Sequence, residues 1–191
     1  MPISYDDEHM RSILESAGWS TGIEPLSELM VDRGTCSNVR MSKVRDYKDK
    51  FILNFLQEEA RRQNPGFCLY DEMTQAANII WLNQKGIWGP AGYSIASKER
   101  WAISKYEKRA VLFPESLDQL YVRPAQRRNG LASQMVRGII QSRGHRPVWV
   151  VSPKWETKAI LSRLGYEETE ERYEVWQMME GLTKWVRRWD L

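Results

Sequence analysis

The chain contains only two cysteines and two histidines in 191 residues. Cys36 and Cys68 lie far apart and match no metal-ligand or redox spacing, so a disulfide scaffold and a cysteine-based metal site are both excluded. His9 and His145 are too few for a histidine-based metal centre, and the expectation is that no metal takes part. No apolar run approaches the ~18 residues a membrane helix needs. The stretch from Met1 to Ser12 is acidic and lacks the apolar core of a secretory signal. A cytoplasmic protein with no membrane partner is therefore expected. An excess of one charge sign is missing too: 28 Lys and Arg stand against 25 Asp and Glu. A formal net charge of +3 argues against nucleic acid as a partner, because such binders carry a strong basic excess. There are no low-complexity tracts and no internal repeats, which excludes solenoids and disordered chains.

What the sequence does have is an alternation of strand-like and helix-like segments after a short extension, enough for one domain. In residues 1–36, Met10, Ile13, Leu14 and Ala17 are spaced for one helix face, and Gly18 follows where that helix would stop. A second short helix is expected from Glu24 to Asp32. Ser37 to Lys43 reads as a strand. The helix after it carries Val44, Tyr47, Phe51, Phe55, Ile52 and Leu56 on its apolar face, and Asn64-Pro65-Gly66 ends it. Strands are expected at Asn78–Leu82 and Gly92–Ala96, with a turn at 84–86 between them. Trp101–Pro114 is expected to continue a strand and then become a loop. Ser116–Val122 is a strand broken by Pro124. Asn129–Arg143 is a helix striped by Leu131, Ala132, Met135, Val136, Ile139 and Ile140. Pro147–Val151 is a buried strand, and Ser152-Pro153 supplies the cap and first position of the next helix. That helix ends at Gly165 in a left-handed cap. Tyr166–Met179 holds two strand-like runs joined near Glu170-Glu171. Leu182, Trp185, Val186 and Trp189 share helical spacing, so residues 180–191 are expected to form an amphipathic helix packed on the domain or on a partner.

The chemistry concentrates between Leu117 and Ile140, in LDQLYVRPAQRRNGLASQMVRGII. A strand runs into a basic turn, and a long striped helix opens at Arg127-Arg128-Asn129-Gly130-Leu131-Ala132. The first turn of a helix leaves its N–H groups without intrahelical partners, at the positive end of the dipole. Gly130 and Ala132 keep side chains out of the way, and Arg127 and Arg128 add charge. This is a site for a diphosphate.

In these residues the chain resembles the GCN5-related N-acetyltransferase (GNAT) superfamily, whose signature Gln/Arg-x-x-Gly-x-Gly/Ala is met by Arg127-x-x-Gly130-x-Ala132. Leu120-Tyr121-Val122-x-Pro124 is similar to the family's approach to that loop. Pro147-Val-Trp-Val-Val and the ending Leu164-Gly165-Tyr166 are similar to its next strand and helix. The resemblance covers about residues 37–179, between the extension at 1–36 and the segment 180–191, and is specific only from Ser116 to Tyr166. It implies an α/β (α+β) fold with a mixed, mostly antiparallel central sheet, flanking helices and two splayed strands at an acyl-CoA site.

The resemblance also implies roles. Acetyl-CoA would be the co-substrate and a primary amine, on a small molecule or a protein, the acceptor. Backbone amides of Arg128, Asn129, Gly130, Leu131, Ala132 and Ser133 would hold the diphosphate, with Arg127 beside them. Main-chain groups of Leu120, Tyr121 and Val122 would line the pantetheine arm, and an amide near Val122 would polarise the thioester carbonyl. Asp118 and Glu115 are the candidate bases, weighed against water. The family often places a tyrosine four residues before the Gly-Tyr ending, where this chain has Leu161. Solvent or another tyrosine such as Tyr173 must then protonate the thiolate, whose pKa near ~8.5 makes that tolerable. Two alternatives stay open: a coenzyme A-binding module without catalysis, and a related enzyme that modifies nucleic acid. Trp81, Trp88 and Trp101 either line an acceptor cleft or pack in the core and at its edges. Residues 1–36 either cover the acceptor pocket or mediate a homodimer.

Overall fold

The computed structural model describes residues 38–187, apart from 85–86, 104–109, 145 and 175–180. The expected helices before Cys36, the turn at Lys85 and Gly86, and Trp189 lie outside the described residues. The elements follow as β1 (Val39–Lys43), α1 (Tyr47–Gln63), β2 (Gln75–Gln84), β3 (Ile87–Ser97), β4 (Arg100–Ile103), β5 (Ala110–Phe113), β6 (Ser116–Val122), a 3₁₀ turn (Pro124–Gln126), α2 (Leu131–Ser142), β7 (Val148–Val151), α3 (Trp155–Arg163), β8 (Tyr166–Glu174) and β9 (Gly181–Arg187). Seven strands form one sheet in the order β1-β2-β3-β6-β7-β9-β8, and β4 with β5 makes a separate antiparallel pair. The expected fold class is the one found: a mixed, mostly antiparallel sheet with, among the described residues, three helices.

By its internal contacts the chain divides into two compact units. The first holds the segments up to Leu69, Asn78–Tyr93 and Tyr121–Leu131. Its strands β1 and β2 pair antiparallel from Val39–Leu82 to Lys43–Asn78, and the Trp81 indole N–H donates to Ser42 Oγ at 2.8 Å. Asp46 caps α1 by accepting from the Asp49 N–H at 2.9 Å, which satisfies a donor that the helix start leaves open. The buried stripe of α1 is Ile52, Leu53, Leu56 and Ala60, whereas Tyr47 and Phe51 are exposed at 73% and 46%. Two apolar stripes compete on this helix, and spacing alone cannot choose between neighbouring ones. The compact Ile-Leu-Leu-Ala stripe is the one buried, which corrects the sequence expectation.

The second unit holds Tyr70–Ala77, Ser94–Leu120 and the chain from Ala132 onward. Its core joins Leu117, Val136, Ile139, Ile140, Val148, Val150, Ile160, Leu161, Tyr166 and Trp185. Each such side chain contributes at most ~1.5–3 kcal/mol on full burial. Gly165, with φ of 83°, ends α3 in the left-handed conformation that favours glycine. Four expectations fail here. Residues 181–187 are a strand, β9, paired antiparallel with both β7 and β8, not a helix. Thr183, Trp185 and Val186 are strand formers, and ladder bonds on both edges together with a buried Trp185 outweigh the helical spacing. Ser152 does not cap α3: it has φ of 36° and turns the chain off β7, while Lys154 takes the cap position without a side-chain bond. Arg100–Ile103 and Ala110–Phe113 pair antiparallel as β4 and β5, where a continued strand and a loop were expected. The two runs expected after Tyr166 are one strand, β8, with a register shift between Glu168 and Arg172 where a break was expected.

In the first unit, β3 comes unusually close to β6. A Cβ built on Gly92 would stand 2.2 Å from the Tyr121 carbonyl oxygen and 3.0 Å from Val122 Cα. Both obstacles are backbone, so the strands must move apart to admit even a methyl group. Gly92→Ala is expected to lower stability by about 2–3 kcal/mol. Chemical denaturation checks this, and an unchanged midpoint would show that the strands can part freely.

Candidate functional site

The site is built at the end of β6. The Arg123 N–H donates to the Ala91 carbonyl at 2.9 Å, so the main-chain groups of Arg123 face β3. Because those groups alternate in direction along a strand, Val122 and Leu120 turn theirs to the opposite edge. On that edge β6 runs parallel to β7, but the register covers only Ser116–Trp149 and Leu117–Val150. The strand then continues five residues to Val122. Past Leu117 the register with β7 does not continue.

After Val122 the chain makes the 3₁₀ turn Pro124–Gln126 and an exposed loop, Arg127–Gly130. Arg128 and Gly130 are both left-handed, with φ of 68° and 74°. Alternation of left-handed and ordinary conformations turns successive N–H groups toward one point and makes an anion-binding concavity. Among the described residues no carbonyl accepts from the N–H groups of Arg128, Asn129, Gly130 or Leu131. α2 begins at Leu131, so the positive end of its dipole faces the same loop. Nothing lies within 4 Å of a Cβ built on Gly130; the approach is open. Ala132 and Ser133 follow in the first turn, both half-buried.

The two arginines behave differently. Arg127 folds back: its Nε donates to the Val122 carbonyl at 3.0 Å, a terminal nitrogen donates to Gln63 Oε1, and its Cζ stands 5.9 Å from the centre of the Tyr121 ring. No acceptor for the Arg128 guanidinium is found among the described residues. Beneath the loop the same unit holds a polar network that the sequence did not reveal. Gln63 Nε2 donates to the Tyr121 hydroxyl at 3.1 Å, and that hydroxyl donates to Glu59 Oε1 at 3.0 Å. The buried Arg123 pairs with Glu59 Oε2 at 3.0 Å. Burial, and then the neighbouring Glu59 carboxylate, hold the Tyr121 hydroxyl pKa above the ordinary phenol value. Tyr93, with its ring 5.6 Å from that of Tyr121, is raised likewise by burial and by Tyr121. Glu59 and Gln63 lie at i and i+4 on α1, a spacing that marks a shared face but not what the face meets.

The candidate bases are placed in the second unit. The Asp118 carboxylate accepts from Gln75 Nε2 at 3.0 Å, from Ser97 Oγ and from Ser116 Oγ at 2.8 Å. Ser97 in turn accepts from Arg100 at 3.1 Å. Asp118 thus ties together the segments around Gln75, Ser97 and Ser116. Glu115 precedes β6 and pairs with Arg143, beyond the last residue of α2, at 2.8 Å. Leu161 is fully buried in the core, so its position holds no proton donor. Tyr166 is buried in that core as well. Tyr173 pairs through its main chain with Leu182. Of the three tryptophans, Trp81 is buried and Trp101 is 70% exposed, while Arg40 stacks on Trp88 at 4.8 Å. Among the described residues no group of three or more His, Cys, Asp or Glu is placed to hold a metal ion, and no helix is long and apolar enough to cross a membrane.

The Asp118 geometry is testable. Asparagine in its place keeps the shape but turns one acceptor into a donor facing other donors. Asp118→Asn is expected to lower stability by about 2 kcal/mol, read as a shift in the thermal midpoint; an unshifted midpoint would show the three bonds to be dispensable.

Comparison with known proteins agrees with this geometry. Residues 113–175 match the family model of FR47-like proteins. No curated protein matches the chain in sequence. Among solved structures, a Lactobacillus plantarum protein assigned to the N-acetyltransferases superposes with a TM-score of 0.53 at 10% identity, over 78% of this chain and 98% of its own. A Corynebacterium glutamicum protein named as histone acetyltransferase HPA2 and related acetyltransferase gives a TM-score of 0.52 at 10% identity, over 78% and 96%. A GNAT-family acetyltransferase from Streptococcus agalactiae gives a TM-score of 0.50 at 13% identity, over 76% and 94%. The chain therefore has the fold of the GCN5-related N-acetyltransferases, with an FR47-like segment that spans β6, the exposed loop, α2 and α3.

Proposed function

We propose that the protein is an acyl-CoA-dependent N-acyltransferase that moves an acetyl group from acetyl-CoA to a primary amine within a ternary complex. One observation carries this reading. A strand freed from its parallel neighbour leads into an exposed loop whose N–H groups from Arg128 to Gly130 have no acceptor among the described residues. The amides from Arg128 to Ser133 would take the diphosphate, by dipole and hydrogen bond together. The outward main-chain groups of Leu120 and Val122 would pair with the pantetheine arm as an added strand would. The Val122 N–H would polarise the thioester carbonyl as oxygen gains charge. The amine lone pair forms the new C–N bond and the C–S bond breaks. The electron pair leaves on sulfur, and the ammonium proton passes to water.

Water takes that role because the two carboxylates are engaged. Asp118 already receives three donors, and Glu115 is paired with Arg143. The buried Leu161 likewise leaves thiolate protonation to solvent. These same observations favour a second reading, a coenzyme A-binding module without turnover.

Calorimetry with acetyl-CoA is expected to show one site per chain. Gly130→Trp, which fills the open approach and strains a left-handed position, is expected to weaken binding at least about tenfold, or roughly 1.4 kcal/mol. If the unaltered protein binds no acetyl-CoA, the reading fails. Release of free thiol across a panel of primary amines separates enzyme from module: tight binding with an inert panel selects the module.

A further inference from the structure

The polar network below the loop runs in one direction. Arg127 donates to Gln63, Gln63 to the Tyr121 hydroxyl, and that hydroxyl to Glu59, which also accepts from Arg123. Every link transfers hydrogen-bond polarity toward the Glu59 carboxylate, and bonds aligned head to tail strengthen one another. Glu59 is 13% exposed and its Arg123 partner 6%, so the chain ends on a buried charge pair. Its other end, Arg127, sits on the surface but is held at Nε by the Val122 carbonyl, at a terminal nitrogen by Gln63, and over the Tyr121 ring. A guanidinium fixed in three ways is not a loose counter-charge. It is a clamp on the last residue of β6.

We propose that Glu59 and Gln63 of α1 are positioning residues for the donor-binding loop: Gln63 directly, and Glu59 through the Tyr121 hydroxyl and Gln63, hold Arg127 on the Val122 carbonyl and leave Arg128 as the side chain that meets the diphosphate. This assignment rests on the donor reading above. It divides two adjacent arginines that look equivalent in sequence. Arg127 sets the direction of the Val122 peptide, and with it the edge along which the thiol-bearing arm lies. Arg128, exposed on a left-handed backbone within the loop, supplies charge.

The division is tested with two ligands, coenzyme A and pantetheine, the second carrying the thiol arm without phosphates. Binding is followed by NMR titration of the full-length protein, at millimolar concentration for pantetheine. A clamp serves both ligands; a phosphate contact serves only one. Gln63→Ala and Arg127→Ala are therefore expected to weaken both ligands by the same factor, roughly tenfold. Arg128→Ala is expected to weaken coenzyme A by a similar factor and leave pantetheine unchanged. Arg127→Lys keeps the charge but cannot supply both guanidinium contacts, and should resemble Arg127→Ala. Gln63→Glu keeps an acceptor for Arg127 but loses the donor to the Tyr121 hydroxyl, and should recover only part of the loss seen with Gln63→Ala.

The proposal is overturned if Arg127→Ala spares pantetheine and Arg127→Lys restores coenzyme A binding, since Arg127 would then be a phosphate ligand. It is also overturned if Gln63→Ala changes neither ligand. Gln63 is exposed, so its replacement does not endanger folding. Should the unaltered protein bind neither ligand, the donor reading fails on its own. The relay is then decided by a double-mutant cycle of Gln63→Ala with Arg127→Ala on thermal stability: non-additive effects support the relay, and additive ones remove it.

Discussion

The site depends on β6 having two unlike edges. Toward β3 the strand is gripped, with the Arg123 N–H bonded to Ala91 and Gly92 pressed against the Tyr121 carbonyl. Toward β7 the register stops at Leu117. A strand held on one side and released on the other presents a row of main-chain donors and acceptors that a ligand can complete. Ordinary sheets hide or pair such an edge, because an open one invites other chains. Here the opening is short and leads into a loop and helix start that attract negative charge, so it fits an extended arm ending in phosphates better than another strand. Specificity for the donor then needs few side chains. Its determinants are peptide groups whose directions are set by β3 and by the left-handed turns at Arg128 and Gly130.

That reliance on the backbone explains which parts were legible in the sequence. The stretch from Ser116 to Gly165 is local: a strand of alternating burial, a proline, a glycine at a left-handed position and a helix with one continuous apolar stripe. Each signal acts over a few residues, and apart from the cap expected at Ser152 the elements fall where those signals place them, with Ser116–Val122 and the Gly165 cap as clear cases. The misreadings come where distant partners decide. Helical spacing of Leu182, Trp185 and Val186 is genuine, yet ladder bonds from both β7 and β8 make the segment a strand. α1 carries two apolar stripes, and which one is buried is not written in the helix itself.

The site residues divide along the same line. Arg128 and Gly130 were singled out by a signature of fixed spacing, and both stand in the left-handed conformation; their contact with a donor is the proposal. Glu59 and Gln63 were not singled out, because they lie more than fifty residues from their partners and look like two more solvated positions on a polar helix face. Asp118 shows how distant partners change a reading. As a carboxylate on the strand leading to the motif it reads as a base, but its partners Gln75 and Ser97 come from other strands, and only their arrival shows that its lone pairs are committed.

Those committed lone pairs carry a chemical consequence. An acyl transfer between a thioester and an amine needs an uncharged nitrogen, a stabilised oxyanion and a thiolate able to leave. In the proposed reaction the Val122 N–H would furnish the second, with a benefit that grows in a site from which water is excluded. Removing the amine proton and protonating sulfur are not assigned to any side chain here: Asp118 is tied by three donors, Glu115 by an arginine, and Leu161 is core. An amine whose own pKa lies near neutrality would lose its proton to solvent at little cost, whereas a lysine-like amine near ~10.4 would be protonated almost throughout. Under the proposed reaction such a construction would suit acceptors of low basicity, and the rate would track the fraction of acceptor that is already neutral.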